Sequence, residues 1–163
     1  MQIGIISDTH DQRQRSISAV EMLKGEGAEV LVHCGDLVEP PMVSIFSVLP
    51  CYFVFGNNDV THLTGIQTAI ATTQRAVCLQ WGGEFELAGK RIAITHGHDP
   101  KEVSRLLAAG PDYLFSGHSH IAADWREGVT RRINPGAIHR ARTFSVALLD
   151  LDKDSLRFLS IPR

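Results

Sequence analysis

Five times along the chain a short apolar run stops at a cluster of aspartate, asparagine or histidine. The runs read IGIIS then DTH, VLVHC then GD, CYFVF then GNND, RIAIT then HGH, and DYLFS then GHSH. A run of this kind reads as a short buried strand ending in a tight turn. Between the first two lies SISAVEMLKGEGAEV, where Ile17, Val20, Met22 and Leu23 recur at helical spacing and Gly25 and Gly27 supply a stop. That is a strand, helix, strand unit. In open α/β sheets, sites form beyond the carboxyl ends of the strands, which is where all five polar clusters fall.

The remaining segments extend this pattern. Pro40, Pro41 and Pro50 bracket MVSIFSVL, predicting a short helix that ends before Pro50. Thr64 to Thr73 predicts another, against its threonine content. EFELAGKRIAIT predicts a hairpin turning at Ala88-Gly89-Lys90. DPKEVSRLLAAG opens on Asp-Pro and ends in Gly110, a helix with both caps. VTRRINPG and FSVALLDLDKDSLRFLSI predict further strands, the last pair turning at Asp152-Lys153-Asp154. The expected class is α/β, with two mixed β-sheets and helices outside.

With 163 residues, and no linker, repeat or low-complexity tract, one domain over 1–163 is expected. Net charge is -2, and the longest basic run is Arg131-Arg132, which argues against a surface for long nucleic acid. Cys34, Cys51 and Cys78 are odd in number and lack CxxC spacing, so neither a disulfide framework nor a zinc ribbon is predicted. Strand-like IGII begins two residues after Met1, so no secretory leader is expected, and no apolar stretch has membrane-spanning length. A cytoplasmic location without membrane attachment is the expectation.

Taken singly, Asp-x-His or Gly-Asp is turn or cap chemistry. Five such clusters, each at a strand end, form an inventory instead: Asp8, His10, Asp36, Asn57, His96, His98, His118 and His120. In extended backbone, residues i and i+2 leave on one side, so Asp8 with His10, and His118 with His120, would each aim at one point. Carboxylates, imidazoles and an amide without thiolate suit Mn, Fe, Co, Ni or Zn better than Ca. Eight candidates exceed the ligands of one ion, so two ions sharing a bridging carboxylate are predicted. His33 and His62 belong to no pair at a strand end and read as structural or solvated; His139 stays open.

The order DTH, GD, GNND, HGH, GHSH resembles the five motifs of the calcineurin-like metallophosphoesterases, from Asp8 to the INPGA stretch near residue 135. The short length resembles their small prokaryotic phosphodiesterases and the related retromer subunit. The resemblance implies a four-layer αββα sandwich. It also implies one metal on Asp8, His10 and His120, a second on Asn57, His96 and His118, and Asp36 between them. Spacing does not choose between His96 and His98; the resemblance favours His96. Gly56 is expected to let the backbone turn tightly enough to present Asn57.

Two such ions, Mn foremost, would activate a hydroxide for in-line attack on phosphorus, with no covalent intermediate. Many relatives carry histidine after the ligand asparagine, where this chain has Asn58. An amide donates a hydrogen bond but is no general acid, so either the leaving group's proton comes from elsewhere, with His98 the nearest candidate and a structural role its alternative, or the preferred substrate has a leaving group that needs little help. Small phosphodiesterases of the family also lack that histidine, so a small phosphodiester substrate is expected. Alternatives are a monoesterase or nucleotide phosphohydrolase on the same site, or a metal-binding interaction scaffold. Arg13, Arg15, Arg140 and Arg142 are weighed as phosphate clamps against solvated surface. Homo-oligomers are common among relatives, though no interface is legible here.

Overall fold

The computed structural model describes residues 1–163. Its first strand, β1 (Gln2–Ile6), is followed by α1 (Arg13–Gly25), β2 (Val30–His33), a 3₁₀ turn at Pro40–Met42, α2 (Val43–Phe46) and β3 (Cys51–Phe53). Then come a second 3₁₀ turn (Val60–His62), α3 (Leu63–Ala71), β4 (Ala76–Cys78), β5 (Gly82–Leu87), β6 (Lys90–Thr95) and α4 (Pro100–Ala108). The chain closes with β7 (Tyr113–Phe115), β8 (Ala122–Glu127), β9 (Thr130–Pro135), β10 (Ser145–Asp150) and β11 (Ser155–Ser160).

One sheet has the order β11-β10-β1-β2-β3-β4 and the other β5-β6-β7-β9-β8. Both are mixed. β1, β2, β3 and β4 run parallel, with β10 and β11 added antiparallel. β6, β7 and β9 run parallel, with β5 and β8 antiparallel on the edges.

Side-chain alternation divides each central strand between two cores. Ile3 and Ile5 of β1 join Val32, Ile94, Phe115 and Leu149 between the sheets. Ile6 joins Leu23, Leu31, Phe46, Ile66 and Ile70 beneath α1, α2 and α3. A smaller cluster, Ala93, Leu106 and Leu114, seats α4 on the far face of the second sheet. Helices, sheet, sheet and helix therefore form the four-layer α/β architecture expected, and a strand buried on both faces reads as a continuous apolar run.

The departures are local. α2 is shorter than predicted, stopping at Phe46, whereas α4 has both expected ends, Asp99 as its N-cap and Gly110 at positive φ just past its C-cap. The strands β4 and β8 lie outside the predicted set. β4 is three residues long, and β8 is an edge strand whose AADWRE sequence is almost wholly exposed, so neither carries an apolar pattern. No helix is long and apolar enough to cross a membrane.

Candidate metal centre

The five polar clusters occupy loops beyond the carboxyl ends of β1, β2 and β3 in one sheet and β6 and β7 in the other. Backbone bonds lace them together. Asp8 N donates to Gly35 O at 3.0 Å, His10 N to Asp36 O at 3.0 Å, and Gly117 N to His96 O at 2.9 Å. The loops thus meet at the seam where the two sheets face each other.

Asp8, His10 and His120 offer ligand atoms within 4.8 Å of one another, and so do Asp8, Asp36 and His96. His120 Nε2 is 3.1 Å from Asp8 Oδ1, while Asp36 Oδ2 lies 3.3 Å from both His10 Nε2 and His96 Nε2. Asp36 therefore faces both halves of the cluster. His118 stands against His96, ring centroids 5.1 Å apart, but outside both groups, and Asn57 is exposed on its loop.

The inward convergence does not arise from extended backbone. Asp8, His10, Asp36, His118 and His120 all have positive φ, between 40° and 69°. Left-handed turns just past the strands aim these side chains, and such strain concentrates at functional sites. Asp8 and His10 are neighbours, as their spacing predicts, but through this conformation and not the extended one.

Hydrogen bonds leave selected atoms free. Asp8 Oδ2 accepts from Ser7 Oγ at 2.6 Å and from His118 N at 3.0 Å, whereas the buried Oδ1 has no hydrogen-bond partner. His96 Nδ1 donates to Cys34 O at 2.7 Å, because a carbonyl can only accept. That bond turns the Nε2 lone pair inward, where Nε2 is also buried and unpartnered, as is His10 Nε2. An imidazole tied through one nitrogen to a carbonyl is how proteins orient metal-binding histidine. Unpartnered buried carboxylate and imidazole atoms facing each other are costly without a cation, so this donor set fits divalent metal.

Electrostatics agree. Burial alone would raise the Asp36 pKa, but the imidazoles of His10 and His96, each 3.3 Å from its Oδ2, and the backbone N–H of Asn58 hold it well below the usual carboxylate range. Burial lowers the His98 pKa, and neighbouring His96 and His118 lower it further. His98 lies beside His96 and Trp81, with ring centroids 5.4 and 5.9 Å away.

Asn58 grips Asp36 at two points, its Nδ2 donating to Asp36 Oδ2 at 2.7 Å and its backbone N to Oδ1 at 2.9 Å. Gly56 is required for a reason other than the one expected. Its φ is not positive, but a Cβ there would overlap Asp36 Oδ1 and the Asp36 backbone nitrogen, so close approach demands glycine.

Two residues escaped the sequence reading. Asp59, 1% exposed, accepts from Gly56 N (2.7 Å), Asp36 N (3.0 Å) and Val38 N (2.7 Å), clamping the GNND loop to the GD loop. Asn134, in the INPG stretch, donates to Gly117 O at 2.8 Å and accepts from Gly136 N at 2.9 Å, holding the GHSH loop from below. Their signal was present in the motifs, as polar residues that ligand counting left over.

The other histidines separate cleanly. His33 is buried against Phe46 and Phe53, and burial pushes its pKa down to about 3, while His62 is exposed. His139 lies beside the site, its ring 4.7 Å from that of His10. Of the arginines, Arg13 lines a separate groove with Pro40 and Thr72. Arg15 donates to Ile138 O at 2.7 Å and covers the Phe144 ring, Arg140 is exposed, and Arg142 lines a cavity with His120.

Comparison with known proteins adds an independent line. A phosphodiesterase of Methanocaldococcus jannaschii is 27% identical over 162 residues, covering 96% of this chain and 97% of that protein. A solved structure described as a novel archaeal phosphodiesterase superposes with a TM-score of 0.89 at 26% identity, covering 99% of this chain and 100% of its own. Vps29 of Entamoeba histolytica, solved with zinc, shares the fold at a TM-score of 0.66 and 16% identity, covering 99% of this chain and 98% of its own. The model of the calcineurin-like phosphoesterase superfamily domain matches residues 1–154, nearly the whole chain, and the chain belongs to that superfamily.

Proposed function

We propose that the chain, as one catalytic unit over residues 1–163, hydrolyses small phosphodiesters at a two-metal centre. The observation that carries this reading is the pair of overlapping donor clusters whose buried Asp8 Oδ1, His10 Nε2 and His96 Nε2 have no hydrogen-bond partner. Asp8, His10 and His120 would hold one ion, Asn57, His96 and His118 the other, with Asp36 between them. Mn is the ion proposed, and Fe, Zn, Ni or Co suit the same donors. Two ions held there would lower the pKa of a water between them and offset charge developing on phosphorus.

The chain's own residues do the positioning. Asn58 fixes both oxygens of Asp36, so its role is to orient that carboxylate. His98, at the edge of the cluster, is the residue proposed to protonate the leaving group. The diester preference is supported by the two archaeal relatives named as phosphodiesterases and by Asn58 standing where a histidine acid would serve monoesters.

The test is turnover of bis(p-nitrophenyl) phosphate against p-nitrophenyl phosphate by Mn-loaded protein, with Asp36→Asn as control. The diester should react faster, and the control should lose at least ~10²-fold, the scale of effect expected when groups of a metal centre are removed. Faster monoester turnover would reverse the substrate assignment. Metal binding without turnover of either ester would favour a scaffold.

A further inference from the structure

Arg142 and the candidate ligand His120 line one cavity of about 520 Å³, within the roughly 300–1,000 Å³ typical of small-molecule sites. It crosses the ends of β8, β10 and β11, where the edges of the two sheets come together. Phe158 and Ile121 supply its apolar surface and are 41% and 67% exposed. Thr143 and Ser160 add hydroxyls, and no carboxylate lines it.

This chemistry selects an occupant. An exposed aromatic ring offers a stacking platform to a planar group. The arginine suits a phosphate oxygen, and the hydroxyls suit a sugar.

We propose that this groove holds the retained, aromatic substituent of a phosphodiester whose phosphorus sits at the metal centre, with Arg142 on a phosphate oxygen; the substrate class is a nucleoside-bearing diester. The proposal rests on the phosphodiesterase reading. It makes Phe158 a specificity-determining residue, since it reads the retained group and takes no part in the displacement.

Two readouts test it. The first is kcat/KM on bis(p-nitrophenyl) phosphate relative to methyl p-nitrophenyl phosphate, which share a leaving group and differ in the group retained. Phe158→Ala and the milder Phe158→Leu should lower that ratio, by roughly tenfold for Ala. The second is calorimetric binding of adenosine 5′-monophosphate to the Mn-loaded protein, which Phe158→Ala and Arg142→Ala should each weaken by roughly tenfold.

An unchanged ratio, or equal losses on both esters, with unchanged nucleotide affinity in a variant that melts normally, overturns the groove assignment. If wild-type protein hydrolyses neither ester, yet Phe158→Ala weakens nucleotide binding, the catalytic reading falls and the groove stands.

Discussion

Asp59 shows how much of the site depends on a residue that need not touch an ion. Its carboxylate accepts three backbone N–H groups from two loops, which offsets only part of the rise that burial gives its pKa. Asp59→Ala would leave those donors without their partner, at a cost of about 3 kcal/mol, or about 6–12 °C in Tm for a chain of this size. A calorimetric Tm shift under 2 °C would show that water replaces the clamp at little cost. His33 carries a second prediction. Its folded pKa of about 3 lies below the ordinary 6.5, so the unfolded chain binds a proton that the native chain does not. The stability conferred by this neutral histidine is full above pH 6.5 and falls by about 1.4 kcal/mol per pH unit as pH drops toward about 3. Denaturant titrations from pH 7 to 4 should show that slope in wild type and a flatter one in His33→Leu. Parallel slopes would contradict it. The ligand candidates were legible as residue types, but the left-handed backbone of Asp8, His10, Asp36, His118 and His120 was not, because positive φ is uncommon for a non-glycine and the surrounding structure must hold it there.

At the scale of elements, the apolar runs announced the central strands because each is buried on both sides, between the two cores. β4 and β8 went unread for the opposite reason: edge strands that pack against little need no apolar signature. The same logic explains why the loops lie so close. Gly117 sits against the loop after β1, and a Cβ there would overlap Ser7 Oγ and come within 2.5 Å of Asp8 Oδ2. Gly117→Ala should therefore push the loop after β7 away from the loop after β1, separating His118 and His120 from Asp8. Metal titration should show affinity at least ~10-fold weaker, in the range seen when residues that orient ligands are lost. Unchanged affinity in the folded variant would mean that the loops shift without disturbing the donors.

Over the whole molecule, parallel strands from two different sheets end at one seam, and that convergence turns five ordinary turn sequences into one cluster. Strand order could not be read from the chain, since nothing in RIAIT or DYLFS says which sheet it joins. The order of the clusters therefore carried the fold assignment through resemblance, and the family match over residues 1–154 carries it now. Whether two ions act together can be decided by adding Mn stepwise to chelator-stripped protein while following bis(p-nitrophenyl) phosphate hydrolysis. A two-metal centre should give no turnover without metal and an activity that continues to climb until the second equivalent per chain. Activity that is complete at one equivalent, or that survives stripping, would contradict it.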